Sequence, residues 1–423
     1  MTSMLEGIRV VDLTQSVSGP FCTFYLAAMG AEVIKVEKPE RGEDTRYFPP
    51  IVGDASGAFV QFNNSKKGVT LNLKSPEGVE LFKELVKASD VVVENFTPGA
   101  MARLGIAYDD LREINPKLVM CSISGFGQTG PLSSLPGYDT VIQALSGLMS
   151  TTGFPDAPPV RTGSIVVDIS SGIFAATAVC ASLFRRERTG EGDYLDIAMF
   201  DVALNLLEVK FVEYTATGEI PGRYGNRYPP VTPFDAFPTK DEHVLICCAG
   251  DNTFQHLCKA MERPELAGDE RFRGNLDRNQ HEPELRKIIE EWSSRLTSRQ
   301  VMEKLLACGV PVATINNVKE AVENPQTAAR EMLVDVTQPG GEKFTIFGSA
   351  IKSTNSKVEV RGPAPGHGEH NEWLLRDILK KSDEEVEKIL GSGAMTPPFQ
   401  FVGSASKLPH RLSASSYSSS ETV

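Results

Sequence analysis

The feature that most narrows the fold is an alternation of short β-rich runs with helix-patterned segments over the first two hundred residues. Residues 7–13 (GIRVVDL) read as a strand, 22–29 as a helix and 32–36 (EVIKV) as a second strand. After a loop come a helix over 78–88, a buried-type strand at 90–93 (DVVV) and a further strand at 118–123. Apolar β-branched runs of this length fit strands covered on both faces. Strands and helices in succession predict an α/β fold, with a largely parallel, Rossmann-like sheet and helices on both sides.

Residues 168–190 form the most helix-like segment, ending in basic residues and Gly190 as helices tend to do. A strand at 194–199 and a helix at 202–214 follow. The next loop, GEIPGRYGNRYPPVTPFDAFPTKD, is rich in Gly, Pro and aromatics and reads as an inter-domain crossing. From 243 to about 325 a strand precedes several short helices. Strands are expected again at 332–337 and 343–347, then helices at 372–379 and 383–390. Beyond Gly393 the composition turns Ser-rich and aperiodic, which predicts a disordered tail over 394–423.

Composition excludes several classes. Fifty-five acidic against 43 basic residues give a net charge of −12, and no long Lys/Arg run is present, so neither nucleic acid nor an anionic membrane is expected as partner. No stretch of about 18 apolar residues stands out as a membrane span. The seven cysteines are scattered without a CxxC, which argues against a disulfide framework or zinc site and for a reducing, cytoplasmic compartment. All six histidines lie at or beyond His243. Chemistry centred in the N-terminal half therefore has no local histidine for a triad or a metal cluster, and carboxylates, hydroxyls, amides and backbone must carry it.

Three motifs carry candidate chemistry. Gly125-Phe126-Gly127-Gln128-Thr129-Gly130 matches GxGxxG, but Pro131 and Pro136 follow where a phosphate-binding helix would have to begin, so a turn permitting close backbone approach is the better reading. Asp168 opens the long apolar helix. On spacing alone it is an N-cap; the same placement would hold an ionised carboxylate able to attack an activated acyl group. Asp12, Asp139, Asp196 and Asp201 remain alternatives on pattern alone. Basic residues at 35, 38, 41, 46, 66, 67, 74 and 103 are ordinarily solvated surface, yet grouped at one sheet edge they would hold the phosphates of a nucleotide-like ligand.

Longer blocks carry a resemblance. GIRVVDLTQSVSGPFCTFYLAAMGAEVIKVEKPERGEDTR, NNSKKGVTLNLKSPEG, VVVENFTPGAMARLG, INPKLVMCSISGFGQTGP, YDTVIQALSGLM, TGEGDYLDIAMFD and PQTAAREML resemble, in order, the family III CoA-transferases, which include formyl-CoA:oxalate and carnitine CoA-transferases and the related α-methylacyl-CoA racemases. The resemblance implies a Rossmann-like large domain built from both chain ends, over 1–215 and 326–393, a linker at 216–242, a smaller α/β domain at 243–325, and an interlocked homodimer. It aligns Asp168 with the family nucleophile. Lys38 and Arg103 would meet the nucleotide end of CoA. Leu71, Asn72, Leu73 and Lys74, with Asn95, Phe96 and Thr97, would line the adenine and pantetheine path, and Gln15, Ser16 and Val17 would sit near the thioester. CoA is then a substrate, with no permanently bound cofactor and no metal.

Racemases of this superfamily carry histidine where this chain has Tyr138, in GYDTVIQ. A phenol of pKa about 10 is a poor partner for moving an α-proton, so acyl transfer is favoured over racemisation, and Tyr138 is expected to contact substrate or CoA. The blocks around 138–163 and 225–239 are similar to the acetyl-CoA:oxalate branch, and the four-glycine run of the formyl-CoA:oxalate enzymes is missing. The expected activity moves CoA from a small acyl-CoA to a small carboxylate, oxalate or a C4 to C5 diacid, with Arg227 or Arg161 as candidates for the second carboxylate. An acyl-CoA racemase or hydrolase of the same superfamily, or a catalytically silent CoA-binding protein, are the alternatives.

Overall fold

The computed structural model describes residues 2–396. Six parallel strands form the main sheet: β1 (Arg9–Asp12), β2 (Glu32–Glu37), β3 (Lys67–Thr70), β4 (Val91–Glu94), β5 (Val119–Ser124) and β6 (Asp193–Ala198). Their order across the sheet is β3-β2-β1-β4-β5-β6. The chain starts in the middle, winds outward through β2 and β3, and returns past β1 to lay down β4. Strand order reverses between β1 and β4, which opens a crevice at their carboxyl ends.

Each face of the sheet has its own core. On one, Val11, Val92 and Met120 pack under the helices Pro76–Lys87 and Tyr108–Ile114 and under the C-terminal residues Leu374, Leu375 and Ile389. On the other, Val10, Val91 and Cys121 lie under the first helix, Ser18–Ala28, and the long helix Val166–Thr189. These two helices cross very closely at Gly172, where a Cβ would stand 2.7 Å from the Ser18 carbonyl oxygen. Separately, an antiparallel sheet of Phe234–Pro238, His243–Cys247 and Val312–Thr314 packs with short helices around Phe237, Ile246, Phe254 and Leu257.

Several expectations need correction. Strand β3 escaped notice because KGVT is short and carries a glycine. As an edge strand it takes partners from the C-terminal segment: the Thr70 amide donates to Asn371 Oδ1 (2.9 Å), and the His370 amide to the Gly68 carbonyl (2.9 Å). The helix expected over 202–214 is two, Met199–Asn205 and Val209–Thr217, broken where Glu208 adopts φ 47°. Around 372–379 the helix Asn371–Trp373 runs into a π-helical turn, Leu374–Ile378. Ala394 and Met395, assigned to the tail, are buried in the core; the Ser-rich remainder lies outside the described residues. The helix Val166–Thr189 is long and apolar enough to cross a membrane, contrary to the sequence reading, but here it is a core helix lying on the sheet.

The approach at Gly172 gives a direct test. Valine gains only a few tenths of a kcal/mol in helix propensity over glycine, whereas its side chain would meet backbone that cannot rotate away. Gly172→Val is expected to lose about 1–3 kcal/mol of stability, measured by urea unfolding.

Candidate active site

Asp12, the last residue of β1, is fully buried. Its Oδ1 accepts the Thr14 amide (2.8 Å) and hydroxyl (2.5 Å); its Oδ2 accepts the Thr23 hydroxyl (2.6 Å) and Lys66 Nζ (2.9 Å). Lys35, equally buried, donates through Nζ to the Thr14 carbonyl (2.9 Å) and Glu43 Oε2 (3.0 Å). Burial opposes the Asp12 charge, but Lys66 and Lys35, with the two threonine hydroxyls, outweigh it and hold the carboxyl far below the carboxylate range. Burial draws Lys66 down to about 8 even though Asp12 faces it. Lys35 and Lys66 are thus withdrawn from the basic edge expected from the sequence. Arg46 is committed as well, donating to both Glu37 oxygens (2.8 and 2.6 Å).

Beyond this anchor the chain turns sharply. Ser16 sits at φ 64°, a conformation that costs free energy and persists only where its surroundings impose it. Gln15 is clamped across the strand reversal: its amide donates to Asn95 Oδ1 and its carbonyl accepts Asn95 Nδ2, both at 2.8 Å. Val17 then takes the N-cap position of the first helix, and Ser18 is that helix's first residue.

At the carboxyl ends of β1 to β4 lies a groove of about 190 Å³ lined by Gln15, Lys38, Leu71, Asn72, Leu73, Lys74 and Phe96. Lys38 and Lys74 are exposed and free of carboxylate partners among the described residues. Arg103 is not in the lining; it ends the short helix Ala100–Arg103 and folds toward Gly99, next to the groove residue Leu104. Thr97 lines a second cavity, of about 130 Å³, together with Glu94, Gln128 and Tyr194.

Asp168 is the third residue of the long helix, whose N-cap is Ile165; the N-cap reading is wrong. The first amides of the helix go to Asp139 instead, whose Oδ2 accepts Val167 N–H (2.8 Å) and Asp168 N–H (3.1 Å). Asp139 reaches them because Gly125 and Gly137 meet backbone to backbone, with a Cβ on Gly125 falling 2.9 Å from the Gly137 Cα. That contact is the work of the glycine-rich turn. No helix starts in it; the next one begins at Asp139. The nearby Ser18 hydroxyl favours the Asp168 charge, but burial, reinforced by the Asp139 charge, outweighs it and raises the carboxyl to about 7. The expectation that amides hold this carboxylate strongly ionised is therefore also corrected.

A polar chain continues outward. Gln143 Nε2 donates to Asp139 Oδ1 (2.5 Å), and Gln143 Oε1 accepts the Thr162 amide (3.0 Å). Arg161 precedes Thr162, exposed, with its guanidinium on the Thr162 carbonyl (2.9 Å). Tyr138 is 76% exposed and without a side-chain hydrogen bond among the described residues. Arg227 is not joined to this set: it faces Glu282 (3.8 Å) beside Thr232 and Phe234, with its Nε buried and unpartnered. Sequence reasoning missed Ser18, Gln143, Thr162 and Glu94. Only Asp139 had left a signal, as one of several unresolved carboxylates. Among the described residues no group of three His, Cys, Asp or Glu could hold a metal ion.

A doubly wound sheet with an apolar groove and unpaired lysines at its strand reversal, and a partly desolvated aspartate at the start of the long helix, fits an α/β enzyme for a nucleotide-bearing substrate. The chain matches the CoA-transferase family III model over residues 5–371 and belongs to that family; it is a CoA-transferase. It is 44% identical over 339 residues to the acetyl-CoA:oxalate CoA-transferase of Acetobacter aceti, covering 79% of this chain and 87% of that protein. It is 36% identical over 392 residues to the succinyl-CoA:glutarate CoA-transferase of Mus musculus, covering 92% and 90%. A CaiB/BaiF family crystal structure from Brucella suis superposes with a TM-score of 0.80 at 33% identity, over 89% of this chain and 100% of that one.

The Asp139 contact predicts a pH effect. A carboxylate raised by burial and a like charge is protonated below about 7, so kcat/KM should fall with acid through that value if Asp168 must be ionised. Asp139→Asn removes the like charge and is expected to move this limb to lower pH, read from the pH profile of kcat/KM.

Proposed function

We propose that this CoA-transferase moves CoA from a small acyl-CoA to a small dicarboxylate, oxalate or a C4 to C5 diacid, with Asp168 as the nucleophile. The observation that carries the assignment is the carboxyl of Asp168, raised to about 7 by burial and lying near Ser18 at the starts of two crossing helices. Ionised Asp168 attacks the donor thioester carbonyl and expels CoA thiolate, forming an acyl-aspartyl anhydride. The thiolate attacks the aspartyl carbonyl, releasing the donor acid and leaving an aspartyl-CoA thioester. The acceptor carboxylate attacks that thioester, and the returning thiolate attacks the acceptor's own carbonyl in the new anhydride, which frees acceptor-CoA and Asp168. The Val17 to Gly19 amides at the start of the first helix are suited to the oxyanions, and exclusion of water protects the anhydride. No step requires a bound cofactor or metal.

Lys38 and Lys74 in the groove, with Arg103 at its border, would meet the phosphates of CoA, while Leu71 and Phe96 offer apolar surface to its base and pantetheine arm. Tyr138 and Arg161, exposed on segments linked to Asp139, would face the acceptor, and Arg227 would reach it only from another direction. A homodimer is supported by apolar residues left open on this chain: Ile173, Phe174, Phe154, Val212 and Ile220 are all at least 46% exposed. The cysteines described are all free thiols, which supports a cytoplasmic setting.

Four results are expected. With acetyl- or succinyl-CoA and a panel of oxalate, succinate and glutarate, chromatography should show a new acyl-CoA for at least one diacid. Asp168→Ala should lower turnover by about 10³-fold or more; equal activity in wild type and variant would remove the nucleophile assignment. Acyl-CoA plus hydroxylamine should mark Asp168 as a hydroxamate by mass spectrometry. Sedimentation should give twice the 46.0 kDa chain mass.

A further inference from the structure

We infer that Glu94 is the positioning residue for the loop 95–97 that walls the CoA groove, setting acyl-CoA affinity without touching the substrate; this rests on reading the groove as the CoA site. Glu94 ends β4 and is 3% exposed. Its Oε2 accepts the Phe96 amide at 2.7 Å, tying down the backbone of the residue whose ring lines the groove. The Ser122 hydroxyl on β5 lies close to the same carboxyl and favours its charge. Ser122 in turn accepts the Tyr194 hydroxyl from β6 (3.1 Å), and the Tyr194 ring stacks on Tyr108 with centroids 5.1 Å apart.

At its two ends the loop is held by Asn95 on the Gln15 backbone and by the Thr97 carbonyl, which accepts the Ala100 amide (3.0 Å), and between them the Phe96 backbone depends on Glu94. On one side it faces the groove, and on the other the cavity of about 130 Å³ that Glu94 itself lines. Gln128 borders that cavity with its Nε2 buried and unpartnered, so it offers the loop no substitute bond. Between Glu94 and Phe96, Asn95 is bonded twice to the Gln15 backbone. A shift at Glu94 therefore reaches both the groove wall and the turn before Ser18. Burial pushes Glu94 up to about 7, with the Asp196 charge adding to it, so glutamine, which keeps an acceptor oxygen for Phe96, is a close mimic of its neutral form.

The experiment compares steady-state constants of Glu94→Leu, Glu94→Gln and Lys74→Ala. Losing the acceptor for a buried amide is expected to raise KM for acyl-CoA about tenfold in Glu94→Leu, with kcat and the acceptor KM changed less than about threefold and the melting temperature lowered by only a few degrees. Glu94→Gln should stay near wild type. An unchanged acyl-CoA KM in Glu94→Leu, or a Gln variant as impaired as the Leu variant, overturns the inference. Lys74→Ala separates the two readings. If it raises acyl-CoA KM while Glu94→Leu does not, only the role of Glu94 fails; if it has no effect, the groove reading fails and takes this inference with it. Should Glu94→Leu not fold, Ser122→Ala carries the test: a rise in acyl-CoA KM alone supports the role, and an unchanged value overturns it.

Discussion

The site hangs from a pair of charges that water does not reach. Asp12 and Lys66 meet at 2.9 Å with no exposed side-chain surface, and Lys35 bonds to the turn from the other side. Removing such charges from water costs about as much as their attraction returns, so the pair is weak evidence for stability; breaking it by deleting one partner typically costs about 3–5 kcal/mol. Its consequence is geometric. Every oxygen of Asp12 is bonded to Thr14, Thr23 or Lys66, which leaves the chain between β1 and the first helix one path. Along that path lie the strained Ser16, the Gln15–Asn95 clamp, and Ser18 against Asp168.

The same network explains how a strongly acidic chain presents a basic groove. Lys35, Lys66 and Arg46 look like surface residues in the sequence but are consumed by Asp12, Glu43 and Glu37. What remains in the groove lining is Lys38 and Lys74, neither ion-paired among the described residues, with Glu40 as the one carboxylate there that no cation holds. An anionic substrate is then met by a few separate cations rather than by a broad basic field.

Strands β1, β2, β4, β5 and β6 were legible because apolar β-branched runs bounded by polar loops have few alternatives. β3 was not, because KGVT owes its strand state to pairing with β2 some thirty residues earlier, and its open edge is met by Asn371 and His370 three hundred residues away. The site was legible as a list and illegible as a circuit. Asp168 could be picked out at the start of an apolar helix, but nothing local reveals that Asp139 takes the amides of that helix, since the contact depends on two glycines, 125 and 137, meeting backbone to backbone. Tyr138 stands one residue before that carboxylate yet remains open to solvent, and Arg227 belongs with Glu282 in another part of the chain. Adjacency in sequence therefore ranked these residues poorly.

Three buried carboxylates near one sheet edge show how environment divides the labour. Asp12 faces two lysines and stays charged. Glu94 has no cation, only a hydroxyl and an amide, and is pushed to about 7. Asp168 has one hydroxyl and a neighbouring carboxylate, and reaches about the same value. A higher pKa makes a carboxylate a better nucleophile while reducing the fraction ionised, and a value near neutrality keeps both in hand. Had the helix amides bonded to Asp168, they would have favoured its charge and blunted its reactivity. By directing them to Asp139, the fold keeps the helix terminus satisfied and leaves the Asp168 carboxyl lightly held.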